Sequence, residues 1–122
     1  MENRRVAVVG ASENPARYSN RAIRMLQDNG YTPIPISRTG NAILGLPGYS
    51  SVTSIPDPVD TVTMYLGQER QHSVIQDILA IKPRRVIFNP GAENPSAATI
   101  LQQHGIATVE ACTLVLLSTG QF

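Results

Sequence analysis

The stretch that most constrains this chain is residues 5–19, where an apolar run breaks abruptly into a loop of small and turn-forming residues. Arg5-Val6-Ala7-Val8-Val9 leads straight into Gly10-Ala11-Ser12-Glu13-Asn14-Pro15, with Ser19 following. A short continuous apolar run reads as a parallel strand buried on both faces. A small-residue loop after it lets backbone N–H groups approach a phosphate closely. The helix that follows points its positive dipole end at the same place. This is the layout of a nucleotide-binding strand–loop–helix turn at the start of an α/β domain. The Gly-x-Gly-x-x-Gly fingerprint is incomplete, because Ser12 and Pro15 stand where it needs glycine. A nucleotide site is expected, but an ordinary NAD site is disfavoured.

The remaining sequence alternates strand and helix. Ser19 to Asn29 reads as a helix with Ala22, Ile23 and Leu26 as its apolar stripe, stopped by Gly30. Thr32 to Ile36 reads as a strand carrying Pro33 and Pro35. Both lack an N–H on one side, so irregular pairing is expected there. Arg38 to Tyr49 is a Gly-rich loop, read as a mobile binding loop. A turn at residues 54–58 follows, with a short helix before it. Thr61 to Leu66 reads as a strand and Gln68 to Ile81 as a helix with a Val74, Ile75, Ile78, Leu79 stripe. Arg85 to Phe88 is a strand. Asn94-Pro95 is a strong helix start, Asn as cap and Pro at the first position, with Gly105 as the stop. Ala107 to Val109 is a last strand, and Thr113 to Leu117 begins a short helix. The expected fold class is α/β: a single Rossmann-like, doubly wound parallel sheet of about five strands with helices on both faces.

Length and charge narrow the function. The 122 residues leave room for one core, so residues 1–122 are expected to form one domain. A net charge of +1 gives no general attraction for nucleic acid or membrane. Cys112 is the one cysteine, which fits a reducing compartment, and no apolar run reaches the length of a membrane span. The expectation is a cytoplasmic protein that binds a small nucleotide.

A parallel sheet binds ligands at the carboxyl ends of its strands, near the switch in strand order. That rule nominates Gly10, Ala11, Ser12 and Asn14 after the first strand, Ser37 and Arg38 after the second, and Tyr65 and Leu66 after the third. Asn89, Pro90 and Gly91 follow the fourth strand, and Glu110 and Cys112 follow the fifth. An NAD-binding domain usually carries an acid at the end of its second strand for the ribose 2′-hydroxyl. Here Ser37-Arg38 stands there, and an arginine can grip a phosphate on the ribose bidentately. This leaves NADP or coenzyme A, whose ribose bears a 3′-phosphate.

The chain resembles the CoA-binding family of small stand-alone Rossmann domains, a fold also found as the N-terminal domain of succinyl-CoA synthetase alpha-type subunits. The matching pieces are Val8-Val9-Gly10-Ala11-Ser12 with Asn14-Pro15, Arg17 and Ser19. They continue with Pro35-Ile36-Ser37, Ile43-Leu44-Gly45, Val59-Asp60-Thr61-Val62, Asn89-Pro90-Gly91 and Glu110-Ala111-Cys112. The resemblance implies CoA, or an acyl-CoA, held through its diphosphate at the first loop, with the adenosine end near the second and third strands. Two features depart from the family. Ser37-Arg38 replaces the Asn-Pro of many members. The synthetase's second domain and phosphorylated histidine have no counterpart, since neither His72 nor His104 matches that role.

Each nominated residue also has a plain structural reading. Gly10 and Ser12 could simply make a tight turn, with Ser12 or Ser19 as cap. Arg17 and Arg38 could be solvated charges, Tyr65 core packing, and Asn89-Pro90-Gly91 a turn. Cys112 could be a small buried hydrophobe, or a thiol able to form a mixed disulfide with CoA. No Asp, Glu, His or Cys cluster has metal-like spacing, and nothing pairs Glu93 and Glu110 as acid and base. No catalytic residue is nominated. A CoA-binding module without chemistry of its own is the favoured class. An NADP-dependent oxidoreductase or other small nucleotide-using enzyme is the alternative, an interaction-only role with a vestigial site is a third reading, and a homodimer or partner enzyme is a further expectation.

Overall fold

The computed structural model describes residues 2–122. Its strands are β1 (Arg5–Val9), β2 (Thr32–Ile36), β3 (Thr61–Met64), β4 (Arg85–Phe88) and β5 (Ala107–Glu110). Its α-helices are α1 (Tyr18–Asp28), α2 (His72–Ile81), α3 (Pro95–Gln103) and α4 (Thr113–Ser118). All strand pairs are parallel, in the order β2-β1-β3-β4-β5. The Rossmann-like doubly wound sheet read from the sequence is therefore the observed fold.

Strand alternation divides the core in two. Ala7, Val9, Val62, Met64, Val86 and Phe88 face α2 and α3, where they meet Ile75, Ile78, Ala97 and Leu101. Val6 and Val8 face Ile23 and Leu26 of α1 and Leu117 of α4. Each of the larger of these side chains (Val, Ile, Leu, Met, Phe), fully buried, contributes roughly 1.5–3 kcal/mol. The chain crosses from one face to the other between β1 and β3, and that reversal opens a crevice at their carboxyl ends.

Helix boundaries follow local chemistry. Gly30 takes φ +82 after α1, and the amides of Gly30 and Tyr31 donate to Gln27 and Leu26 at 3.0 and 2.9 Å, closing a Schellman motif. Asn94 caps α3 by accepting from the Ala97 amide at 3.1 Å, ahead of Pro95. The prolines of β2 lie on the outer side of an edge strand. Ile34 and Ile36 alternate toward β1, while the outer side receives only a return of the loop, where the Tyr49 amide donates to the Pro35 carbonyl at 3.0 Å.

The structure departs from the sequence reading most around the site. β3 ends at Met64 rather than Leu66, because the Leu66 carbonyl turns away to accept from the Gln71 side chain at 2.8 Å. The helix read from Gln68 is a 3-10 turn over Gln68–Arg70 followed by α2. The Gly-rich loop is tied down along its length. Ile43 inserts into the α1-side core, the Ser37 amide donates to Tyr49, and Gly48 packs against Asn41.

Candidate functional site

A cleft of about 1170 Å3 lies over the carboxyl ends of β1, β2 and β3 at the reversal of strand order. It has room for a ligand of nucleotide size. Gly10, Ala11, Ser12, Arg17 and Ser19 line it from the first loop and α1. Ser37 and Arg38 line it from the end of β2, and Tyr65 and Pro90 from the ends of β3 and β4. These are sequence-nominated residues that the fold brings together. Asn14, Asn89, Gly91, Glu110 and Cys112 do not line it.

The first loop is built in layers. The Gly10 and Ala11 amides both donate to the Ile36 carbonyl at 3.0 Å, which stitches the loop to β2. Ser12 Oγ accepts from the Asn14 amide at 3.1 Å, and Asn14 Oδ1 accepts from the Ala16 amide at 3.0 Å. Side chains of α1 then clamp the loop from behind. Asn20 Nδ2 donates to the Ser12 carbonyl at 2.9 Å, and Arg24 donates to Asn20 Oδ1 and to the Pro15 carbonyl. Ser12 and Asn14 thus shape the loop rather than cap the helix. The start of α1 is left open: Arg17 at its N-cap makes no side-chain capping bond, and no acid lies in its first turn. The amides of Tyr18 and Ser19, at the first two helical positions, have no acceptor within the helix.

Gly10 has a different role from the one its position suggests. It holds φ +88, and an added Cβ would press within 3.3 Å of the backbone of Tyr65 and Leu66. Its missing side chain is demanded by the segment just after β3, so Gly10→Val would damage the fold before it reported on a ligand.

The cleft is predominantly basic, and its arginines form no ion pair among the described residues. Arg17, Arg38 and Arg70 line it, whereas the ion pairs among the described residues are Arg4–Glu2 and Arg84–Asp60, both elsewhere. Tyr65 lines the cleft but does not present its hydroxyl to it. Its hydroxyl is buried without a hydrogen-bond partner, and burial pushes the phenol up to about 12. The hydroxyls of Thr63 and Thr113 lie close enough to oppose that shift slightly, but not in bonding geometry.

Asn89 lies beneath the cleft and is 2% exposed. Its Nδ2 donates to Thr63 Oγ1 and the Met64 carbonyl at 2.7 and 2.9 Å, and its Oδ1 accepts from the Thr113 amide at 2.9 Å. It positions β3, β4 and α4 relative to one another. Cys112 is half-buried at the start of α4, beside Tyr65.

Sequence reasoning nominated Leu66, which lines the cleft, but not Ser50, Glu69, Arg70, His72, Ser73 and Val74, which line it too. The strand-end rule reaches only the residues just past Met64; Glu69, Arg70, His72, Ser73 and Val74 are brought onto the cleft by the 3-10 turn and α2 that follow. Among the described residues, no group of three or more His, Cys, Asp or Glu side chains could hold a metal, and no helix is long and apolar enough to cross a membrane.

Comparison with known proteins gives this arrangement a context. The family described as the CoA binding domain matches residues 4–118. An uncharacterised protein of Bacillus subtilis (strain 168), YneT, is 31% identical over 103 residues, which span 84% of this chain and 76% of the relative. A crystal structure of an uncharacterised protein superposes with a TM-score of 0.92 at 38% identity, over 100% of both chains. The apo form of a dinucleotide-forming acetyl-coenzyme A synthetase from Ca. Korarchaeum cryptofilum shares the fold at a TM-score of 0.78 and 21% identity. That match covers 88% of this chain and 26% of the synthetase.

Proposed function

The chain belongs to the CoA binding domain family, and from that premise we propose that it binds coenzyme A, free or acylated, as a stand-alone nucleotide-binding module. The observation that carries the reading is the cleft at the strand-order reversal, where an uncapped helix start meets unpaired arginines. The open amides of Tyr18 and Ser19, with Ser12, Ser19 and Arg17 around them, receive the diphosphate. Arg38, with Ser37, receives the ribose 3′-phosphate. The Tyr65 ring and Pro90 form apolar contacts along the ligand, and Gly10 and Ala11 hold the loop close to β2. Asn14 and Asn89 act by fixing loops. Gly91 and Cys112 flank the cleft and are given no part in holding the phosphates.

The whole chain acts as one domain. A single cysteine suits a reducing, cytoplasmic setting. The likeness to part of an acetyl-coenzyme A synthetase supports action beside a partner enzyme that supplies the chemistry.

The test is calorimetric ranking of ligands. CoA binds more tightly than 3′-dephospho-CoA by about 1.5–3 kcal/mol, the value of a charge-assisted hydrogen bond. Arg38→Ala removes that difference. Equal affinities in the wild type take Arg38 out of the site. Tighter binding of NADP than of CoA replaces this reading with an NADP-dependent oxidoreductase, since Arg38 can grip either ribose phosphate.

A further inference from the structure

The cleft is basic except at one point. Glu69, in the 3-10 turn after β3, is exposed and is the sole carboxylate among the lining residues. It pairs with neither Arg17, Arg38 nor Arg70, although all of them line the same cleft; the ion pairs among the described residues lie elsewhere. Instead its carboxylate folds back over Gly67. A Cβ added to Gly67 would lie 2.7 Å from Glu69 Oε1 and 3.1 Å from Oε2. Gly67 has an ordinary φ of −64, so no backbone strain requires glycine there. What the missing side chain provides is room for the carboxylate.

A carboxylate in a phosphate-binding cleft repels the phosphates, and it can only accept hydrogen bonds. The groups it can favourably face are donors. On a nucleotide those are the free ribose hydroxyl and the amino group of the base. Resting on the nucleotide reading above, we propose that Glu69 accepts a hydrogen bond from a donor on the adenosine half of the ligand, and so selects the nucleoside. Arg38 at the end of β2 and Glu69 after β3 then divide the labour. The cation takes the ribose phosphate, and the acid takes a neutral donor that a simple anion lacks.

The experiment titrates the protein with adenosine 3′,5′-bisphosphate, its 2′-deoxy counterpart and its inosine counterpart, alongside CoA. In the wild type one of the two altered nucleotides binds at least about ten-fold more weakly than the parent, which names the donor. Glu69→Ala brings that nucleotide and the parent to equal affinity. The fold should tolerate this change, because Glu69 is exposed and holds nothing in place. Gly67→Ala narrows the gap without removing the acid, by pushing the carboxylate aside. Equal affinities of all three bisphosphates in a wild type that still binds CoA overturn the assignment of Glu69 alone. A gap that persists in Glu69→Ala overturns it as well. If the wild type binds neither CoA nor any bisphosphate, the nucleotide reading fails and this assignment fails with it.

Discussion

A buried hydroxyl without a partner is the sharpest single-residue feature of the protein. Tyr65 lines the cleft while its hydroxyl is buried, and burial raises the phenol from 10.0 to about 12. An unsatisfied buried polar group costs about 1–3 kcal/mol. Tyr65→Phe should therefore stabilise the protein, by about 1 kcal/mol or more, and leave CoA affinity unchanged because the hydroxyl does not reach the cleft. The pH dependence has a fixed sign. The folded pKa lies above the unfolded one, so this tyrosine's contribution is fully present below about pH 10. It is lost as pH climbs through about 12. Denaturant titrations across that window should show an alkaline decline in the wild type that is shallower in Tyr65→Phe. An unchanged decline would mean that the hydroxyl finds a partner in solution. Gly10 teaches the complementary lesson. Its place in the sequence suggests contact with a phosphate, but its φ and the nearness of the segment just after β3 make it a requirement of the fold first.

At the scale of elements, what could be read from the sequence was whatever local chemistry decides. The valine run fixed β1. Gly30 and Gly105 ended helices where left-handed backbone was needed, and Asn94-Pro95 began one. The segment after β3 was not legible because a residue that is usually exposed turns inward. Gln71 is fully buried, donates to the Leu66 and Ala92 carbonyls, and accepts from Asn94. No periodicity announces such a clamp, so the 3-10 turn that brings Glu69 and Arg70 onto the cleft was read as the first turn of a helix. The loop from Arg38 reads as mobile by its glycines, while Ile43, with Leu46 packed against the same core, anchors it. The end of α2 yields a prediction of the same kind. Lys82 sits there in the left-handed region at φ 49, where a side chain is strained and glycine is not. Lys82→Gly should raise stability by about 0.5–1 kcal/mol, seen as a higher urea midpoint with an unchanged slope. Lys82→Val should lower it. A midpoint that falls with glycine would show that the lysine side chain has a stabilising contact that outweighs the strain.

Across the whole molecule, the two ends of the sheet treat their cations differently. At the amino end Arg4 pairs with Glu2, and Arg84 meets Asp60, which holds that carboxyl below its usual 3.8. Arg85 donates to Thr61 and to the Phe122 carbonyl. At the carboxyl end Arg17, Arg38 and Arg70 stay without acidic partners around an uncapped helix start. Charges left uncompensated at one end of the sheet are what an anionic ligand would complete, so the ligand should add to global stability. Binding to the native state alone, at a concentration 100 times Kd, contributes about 2.7 kcal/mol. For a chain of 122 residues the usual unfolding entropy turns that into a rise in Tm on the order of 10 °C. Thermal scans with saturating CoA should show it. Arg38→Ala, an exposed change, should keep the ligand-free Tm while losing more than half of the CoA-dependent rise at the same concentration. Inorganic diphosphate should produce only a small rise, because it lacks the ribose phosphate and the nucleoside. An NADP shift as large as the CoA shift would move the reading to the oxidoreductase. No shift with either nucleotide would mean that the open arginines serve some other anion.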